Sequence, residues 1–301
     1  MWDHICPRCR RKVSGASHMC PYCLERFTVP LRVPPRVLKD KKALEEYVHK
    51  FVFPRISAQQ RTYLKQFFTV VFADGFESGN FNAWTGTHNW NSGVTTVENA
   101  NPHHGIYNMK ITGLTALNDG GSAYKDLGSP VAPEIYVRAY IKLSAMPTAD
   151  GTPHMFGPGW GLVGAGAGTW DLLPIIEKSG ANLYWGLSHW EGAGVNYLES
   201  SPSNPVANTW YCVEVYDYLH VSAGIIRLWV DGVLKVEKTG LNTTQRDTSV
   251  HDVRLAAYLN AAEAGGITMY GDYFVAADQP IGLEWACMGL TGGLVFQKSP
   301  P

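Results

Sequence analysis

The chain has 301 residues, 45% hydrophobic and 17% charged. That apolar content excludes a disordered polymer, and the length exceeds the usual single domain of about 100–200 residues. The net charge of −1 hides a split: residues 1–68 carry 14 Lys+Arg against 5 Asp+Glu, and the rest carry 11 against 21, giving +9 and −10. A 12% aromatic share and 31 glycines favour strands and tight turns. No run reaches the ~18 apolar residues of a membrane span. The opening MWDHICPRC has no apolar export core, so the expectation is a chain made in the cytoplasm without a signal.

In chain order, residues 1–28 come first. Cys6, Cys9, Cys20 and Cys23 form two Cys-x-x-Cys pairs separated by ten residues. Each pair offers two thiolates to one ion, which completes a closed tetrahedral S4 site of the structural zinc kind. Two disulfides or a redox Cys-x-x-Cys are the competing readings; the paired spacing favours metal. Such a small unit has almost no core, so metal binding would supply its folding free energy.

Residues 29–69 follow. Pro30, Pro34 and Pro35 favour an extended linker. Leu44, Tyr47, Val48, Phe51 and Val52 then recur at helical spacing up to Pro54. Ser57 and Gln60 make a capping-box pattern for a second helix, with Tyr63, Leu64, Phe67 and Phe68 on its apolar face. This helical pair needs something to pack on, and its basic character would suit other subunits of an assembly, nucleic acid, or the chain's own acidic half.

Residues 70–282 read as a large β domain. In Ile135–Leu143, Ile135, Val137, Ala139, Ile141 and Leu143 alternate with Tyr136, Arg138, Tyr140 and Lys142. Trp210–Tyr218 alternates likewise, and Asp231-Gly232 between two apolar runs is a hairpin signal. Further strand-like runs are Ile106–Ile111, Asn182–His189, Val253–Leu259 and Tyr270–Val275. Many strands and no long helix predict a mainly β fold, a two-sheet antiparallel jelly-roll sandwich. Residues 283–301 form an apolar, Gly-rich tail or an extra strand. Cys212 reads as a buried apolar residue, with a bond to Cys287 left open.

Several segments resemble the strands of concanavalin A-like jelly rolls of the laminin-G and lectin type: FADGFESGNFNAWTGT, NPHHGIYNMKI, NTWYCVEVYDYL with GIIRLWVDGVLKVEK, and MYGDYFVAADQPIG. The first 28 residues resemble a zinc ribbon or rubredoxin-like knuckle. The jelly-roll resemblance implies the fold; its members include lectins, glycoside hydrolases, lyases and structural modules, so it does not choose among functions. Calcium is left open as a second ion, since lectins of this fold often hold it, with Asn118-Asp119 and Asp171 as oxygen donors.

No catalytic constellation is evident. Glu214 and Asp217 fall on opposite faces of one strand, so they cannot flank a bond as paired glycosidase carboxylates do. Rings that could stack on sugar are more numerous. Trp84 and Trp90, with His88 between them, lie in polar stretches; Trp160 lies in the Gly-rich segment FGPGWGLVGAGAGTWD, read as a loop; His189, Trp190 and Tyr197 follow. The resulting expectation is a non-enzymatic structural and recognition protein of a large assembly. It would be a virion decoration or host-attachment protein, displaying a glycan-binding jelly roll anchored by its zinc unit. The alternatives are a polysaccharide-acting hydrolase or lyase and a nucleic-acid-binding zinc ribbon.

Overall fold

The computed structural model describes residues 4–5, 12–13, 70–131, 133–161 and 170–282. The zinc ligands Cys6, Cys9, Cys20 and Cys23, the helical pair and the 283–301 tail lie outside the described residues. The chain divides into two units, Met1–Phe68 and Thr69–Pro301. In the first, β1 (His4–Ile5) pairs antiparallel with β2 (Lys12–Val13).

The second unit is a sandwich of two antiparallel sheets. Its strands are β3 (Val70–Asp74), β4 (Gly86–Trp90), β5 (Val94–Glu98), β6 (Asn108–Leu114), β7 (Gly120–Val131), β8 (Glu134–Leu143), β9 (Pro153–Gly161), β10 (Trp170–Ser179), β11 (Asn182–Trp190), β12 (Gly194–Leu198), β13 (Tyr211–Tyr218), β14 (Gly224–Val230), β15 (Val233–Leu241), β16 (Val250–Tyr258) and β17 (Ile267–Ala277). The seven-stranded sheet runs β12-β11-β10-β9-β16-β7-β4. The eight-stranded sheet runs β15-β14-β13-β8-β17-β6-β5, with β3 added beside β17.

Alternation in the sequence becomes the division between core and outer face. From the eight-stranded sheet Ile135, Val137, Ala139 and Ile141 point inward; from the other sheet Trp160, Leu172, Leu187, Val253, Leu255 and Ala257 meet them. Each large apolar side chain fully buried here contributes about 1.5–3 kcal/mol. Asp231 and Gly232 adopt φ of 49° and 75° between β14 and β15, the left-handed pair that the hairpin signal requires.

Some expectations change. The stretch FGPGWG is strand rather than loop: it forms the end of β9, with Gly159 and Gly161 at outward positions while Phe156 and Trp160 face the core. Cys212 is buried with a free thiol, as its strand position suggested; Cys287 lies outside the described residues. Asp217 faces the core and Glu214 the outside, on opposite sides of β13 as the spacing predicts.

Candidate functional site

Register brings distant residues into rows on the outer face of the seven-stranded sheet. Directly paired residues in neighbouring strands share a face. Across β4, β7, β16 and β9, one row reads Gly86, Tyr124, Arg254, Gly159. The next reads His88, Ser122, Ala256, Gly157, and the next Trp90, Gly120, Tyr258, Met155. A fourth row joins Asp126 and Asp252 to Gly161 and then to Trp170 on β10.

The large residues of these rows pack as a continuous aromatic surface. His88 stacks on Tyr124 at 4.5 Å and on Trp90 at 5.8 Å. Trp90 lies 5.3 Å from Trp170 and 6.1 Å from Tyr258. Gly120 makes this possible: a Cβ there would sit 2.8 Å from the Tyr258 ring and 2.9 Å from the Trp90 ring. Trp90, His88, Tyr124 and Tyr258 remain half-buried, whereas Trp170 is buried.

Charge in this face is neutralised within one strand. Arg254 donates from Nε to Asp252 Oδ1 at 2.8 Å and from Nη2 to Oδ2 at 2.5 Å, and both residues are fully buried. This two-pronged geometry is the strong form of an Arg–carboxylate pair. The guanidinium also lies 5.9 Å from the Tyr124 and Trp170 rings. Beside it, His88 is held below its ordinary pKa by burial and then by Arg254, partly offset by Asp252, so it is neutral near pH 7. His88 Nε2 and Ser122 Oγ, neighbours in one row, are buried with no hydrogen-bond partner among the described residues. An unsatisfied buried polar atom costs about 1–3 kcal/mol.

At the far side of the face, Trp190 closes β11. The Arg246 guanidinium lies 3.8 Å over its ring, donates to the Trp170 carbonyl at 3.0 Å and approaches Asp171 at 3.7 Å. Burial pushes the Asp171 carboxyl up to about 7 despite Arg246.

Of the candidate residues, Trp90 and Trp190 lie on this face. Trp84, Trp160 and His189 do not, and burial removes them from the set that can stack on a ligand. Trp84 packs between Phe72, Phe76 and Phe274 and donates to Asp74 Oδ2 at 2.6 Å. Trp160 is fully buried and donates to Asp217 Oδ2 at 3.1 Å. His189 lies 3.9 Å from Asp217, and burial lowers its pKa. Tyr197 is half-buried at the β12 edge; its hydroxyl donates to Glu191 at 2.6 Å, and burial followed by that bond pushes its pKa up to about 12. Of the residues read as calcium donors, Asn118 accepts from the Tyr258 hydroxyl, Asp119 accepts from the backbone of Ser92, Thr115 and Ala116, and Asp171 faces Arg246.

Tyr124, Asp252, Arg254 and Tyr258, which complete this face, are not among the sequence candidates. The signal was present in VHDVRLAAY: with Val253, Leu255 and Ala257 inward, Asp252, Arg254 and Tyr258 must point outward.

No family model matches the chain. An uncharacterized protein of Methanocaldococcus jannaschii is 27% identical over 161 residues, which is 53% of this chain and 14% of that protein, so the chain spans a small part of its relative. Among solved structures, an endo-β-1,4-glucuronan lyase from the fungus Trichoderma reesei superposes with a TM-score of 0.53 and 16% identity, covering 70% of this chain and 96% of that one. The cellulose-induced protein Cip1 superposes with a TM-score of 0.50 and 15% identity, covering 70% and 99%. At these identities the likeness is one of fold, the jelly-roll β-sandwich.

Proposed function

We propose that the chain binds polysaccharide on the outer face of the seven-stranded sheet and acts as a recognition module without turning its ligand over. The observation that carries this reading is the set of rows joining His88, Trp90, Tyr124, Trp170 and Tyr258 around the Asp252–Arg254 pair. Sugars present apolar C–H faces, which the half-buried rings accept. Support of a second kind comes from the likeness in fold to a lyase that acts on glucuronan. Affinity electrophoresis of the full chain through a panel of neutral and acidic polysaccharides tests the reading. Trp90→Ala is expected to weaken retention by about tenfold or more, as loss of a ring at the centre of an interface does; equal retention of both chains would refute it.

A second reading is favoured by one contact. Neutral His88 lies flat on Tyr124, whose ring is 5.9 Å from the Arg254 guanidinium. A neutral base, a phenol and a cation side by side could serve proton abstraction and return in a polysaccharide lyase. Appearance of unsaturated chain ends, abolished by His88→Ala, would establish it over pure binding.

The finer reading keeps residues 1–69 as the anchor of a larger assembly, a virion in the sequence-based expectation, with zinc on Cys6, Cys9, Cys20 and Cys23. Its support is the thiolate spacing and the +9 charge of residues 1–68. About one zinc per chain, lost on changing Cys20 and Cys23 to Ser, is the expected result.

A further inference from the structure

The outer face of the eight-stranded sheet holds a second, separate cluster. From β8, Arg138, Tyr140 and Lys142 point outward, opposite the core residues Val137, Ala139 and Ile141. The segment before β6 folds back over them, because the backbone N–H groups of His103 and His104 both donate to Asp272 Oδ2, at 2.8 and 3.0 Å. This lays the His103 ring on Tyr140 at 3.8 Å, with Trp210 at its edge, and sets His104 against Tyr273. Lys142 Nζ lies 4.9 Å from the Trp210 ring and 4.7 Å from Tyr270.

The two carboxylates beside the cluster are held by backbone donors, with Glu214 paired directly across from Arg138, and Lys142 Nζ donates to Asn101 Oδ1 at 3.2 Å. Glu214 spends its two oxygens on the N–H groups of Ile281 and Gly282. Asp272 spends its own on His103, His104 and Tyr273. The His103 imidazole is held down to about 4 by burial and then by His104, Arg138 and Lys142. Arg138 is buried; its Nη1 donates to the Gly282 carbonyl at 2.6 Å, but Nε and Nη2 have no hydrogen-bond partner among the described residues. Those two nitrogens form the edge of a guanidinium whose N–H bonds run parallel, the edge that grips a carboxylate with two hydrogen bonds.

We propose that this face is a second binding site, for a carboxylate-bearing saccharide such as a uronate, with Arg138, Lys142 and the His103–His104 pair receiving the carboxylate between the Tyr140, Trp210 and Tyr270 rings. The parallel free edge of Arg138 selects a planar carboxylate, and the bordering rings select a sugar over a peptide. The site shares no residue with the aromatic face of the other sheet, and it stands or falls independently of that face.

The test is an NMR titration of the full isotope-labelled chain with a glucuronate oligosaccharide, a neutral gluco-oligosaccharide and an acidic peptide. The expected result is that the uronate alone moves the His103 and His104 ring signals and the Trp210 indole, and raises the pH at which the two histidines titrate. Lys142→Met, on a half-buried side chain whose stem stays apolar, should weaken that response by about tenfold. Trp90→Ala should leave it unchanged. Equal shifts with the neutral sugar, a response to the peptide alone, no response to uronate, or unaltered binding by Lys142→Met would each overturn the proposal.

Discussion

The two sheets bury an arginine on their outer faces in different ways. Arg254 has Asp252 two residues earlier on the same strand and forms a closed pair with it. Arg138 has Tyr136 at the equivalent position, and the nearby carboxylate of Glu214 is spent on backbone. The same alternation turns both guanidinium groups outward, and the residue at i−2 decides whether the arginine closes on a carboxylate of its own strand. Around the closed pair the face offers rings; around Arg138 it offers Lys142 and a histidine pair beside rings.

The largest effects should separate the two arginines. Arg254→Met leaves Asp252 buried and alone, and urea unfolding should show a loss of about 3–5 kcal/mol. Arg138→Met forfeits the bond to Gly282 and the charge that faces Glu214, but Glu214 keeps its two backbone donors, so the loss should be smaller, about 1–2 kcal/mol. Equal losses would break the contrast. Next in size, Trp160→Phe removes the donor to Asp217, whose carboxyl is fully buried, and should cost about 1–3 kcal/mol in the same measurement.

Acid–base behaviour sharpens the comparison with one carboxyl on each sheet. Burial raises Asp171, by the aromatic face, and Asp272, under the basic cluster, to about 7. Each stays protonated in the folded chain where the unfolded chain, with a pKa near 3.9, is already ionised. Their contribution to stability is therefore full below about pH 4 and is lost as pH rises to about 7. Asp171→Asn should flatten that part of the decline in denaturant midpoints between these limits; an unchanged slope would contradict the assignment. The smallest effect concerns neither face: Gly232→Ala, at φ 75° in the hairpin, should cost about 1 kcal/mol.

How far these features were legible follows from what sets them. Alternation is local, so Ile135–Leu143 showed its core and outer sides, and Asp231-Gly232 showed its turn. The strand-like runs fall within β6, β11, β16 and β17 apart from Ile106, Tyr107 and Leu259 at their ends. Rows across a sheet are not local. His88, Tyr124 and Arg254 meet only because β16 pairs with β7 and β7 with β4, so no window of sequence places them together. Trp160 misled for the same reason. Its glycine-rich surroundings resemble a loop, but its partners Leu172 and Val253 set it in the core. Trp90 and Trp190 were identified from surroundings no more distinctive, and register put them outside.

The most direct measurement follows the tryptophan indole signals of the full chain during titration with polysaccharide. The account predicts movement of Trp90, Trp170 and Trp190 on the seven-stranded face, while Trp84 and Trp160 in the core stay fixed. Saturating polysaccharide that leaves Trp90 and Trp170 unmoved would contradict it.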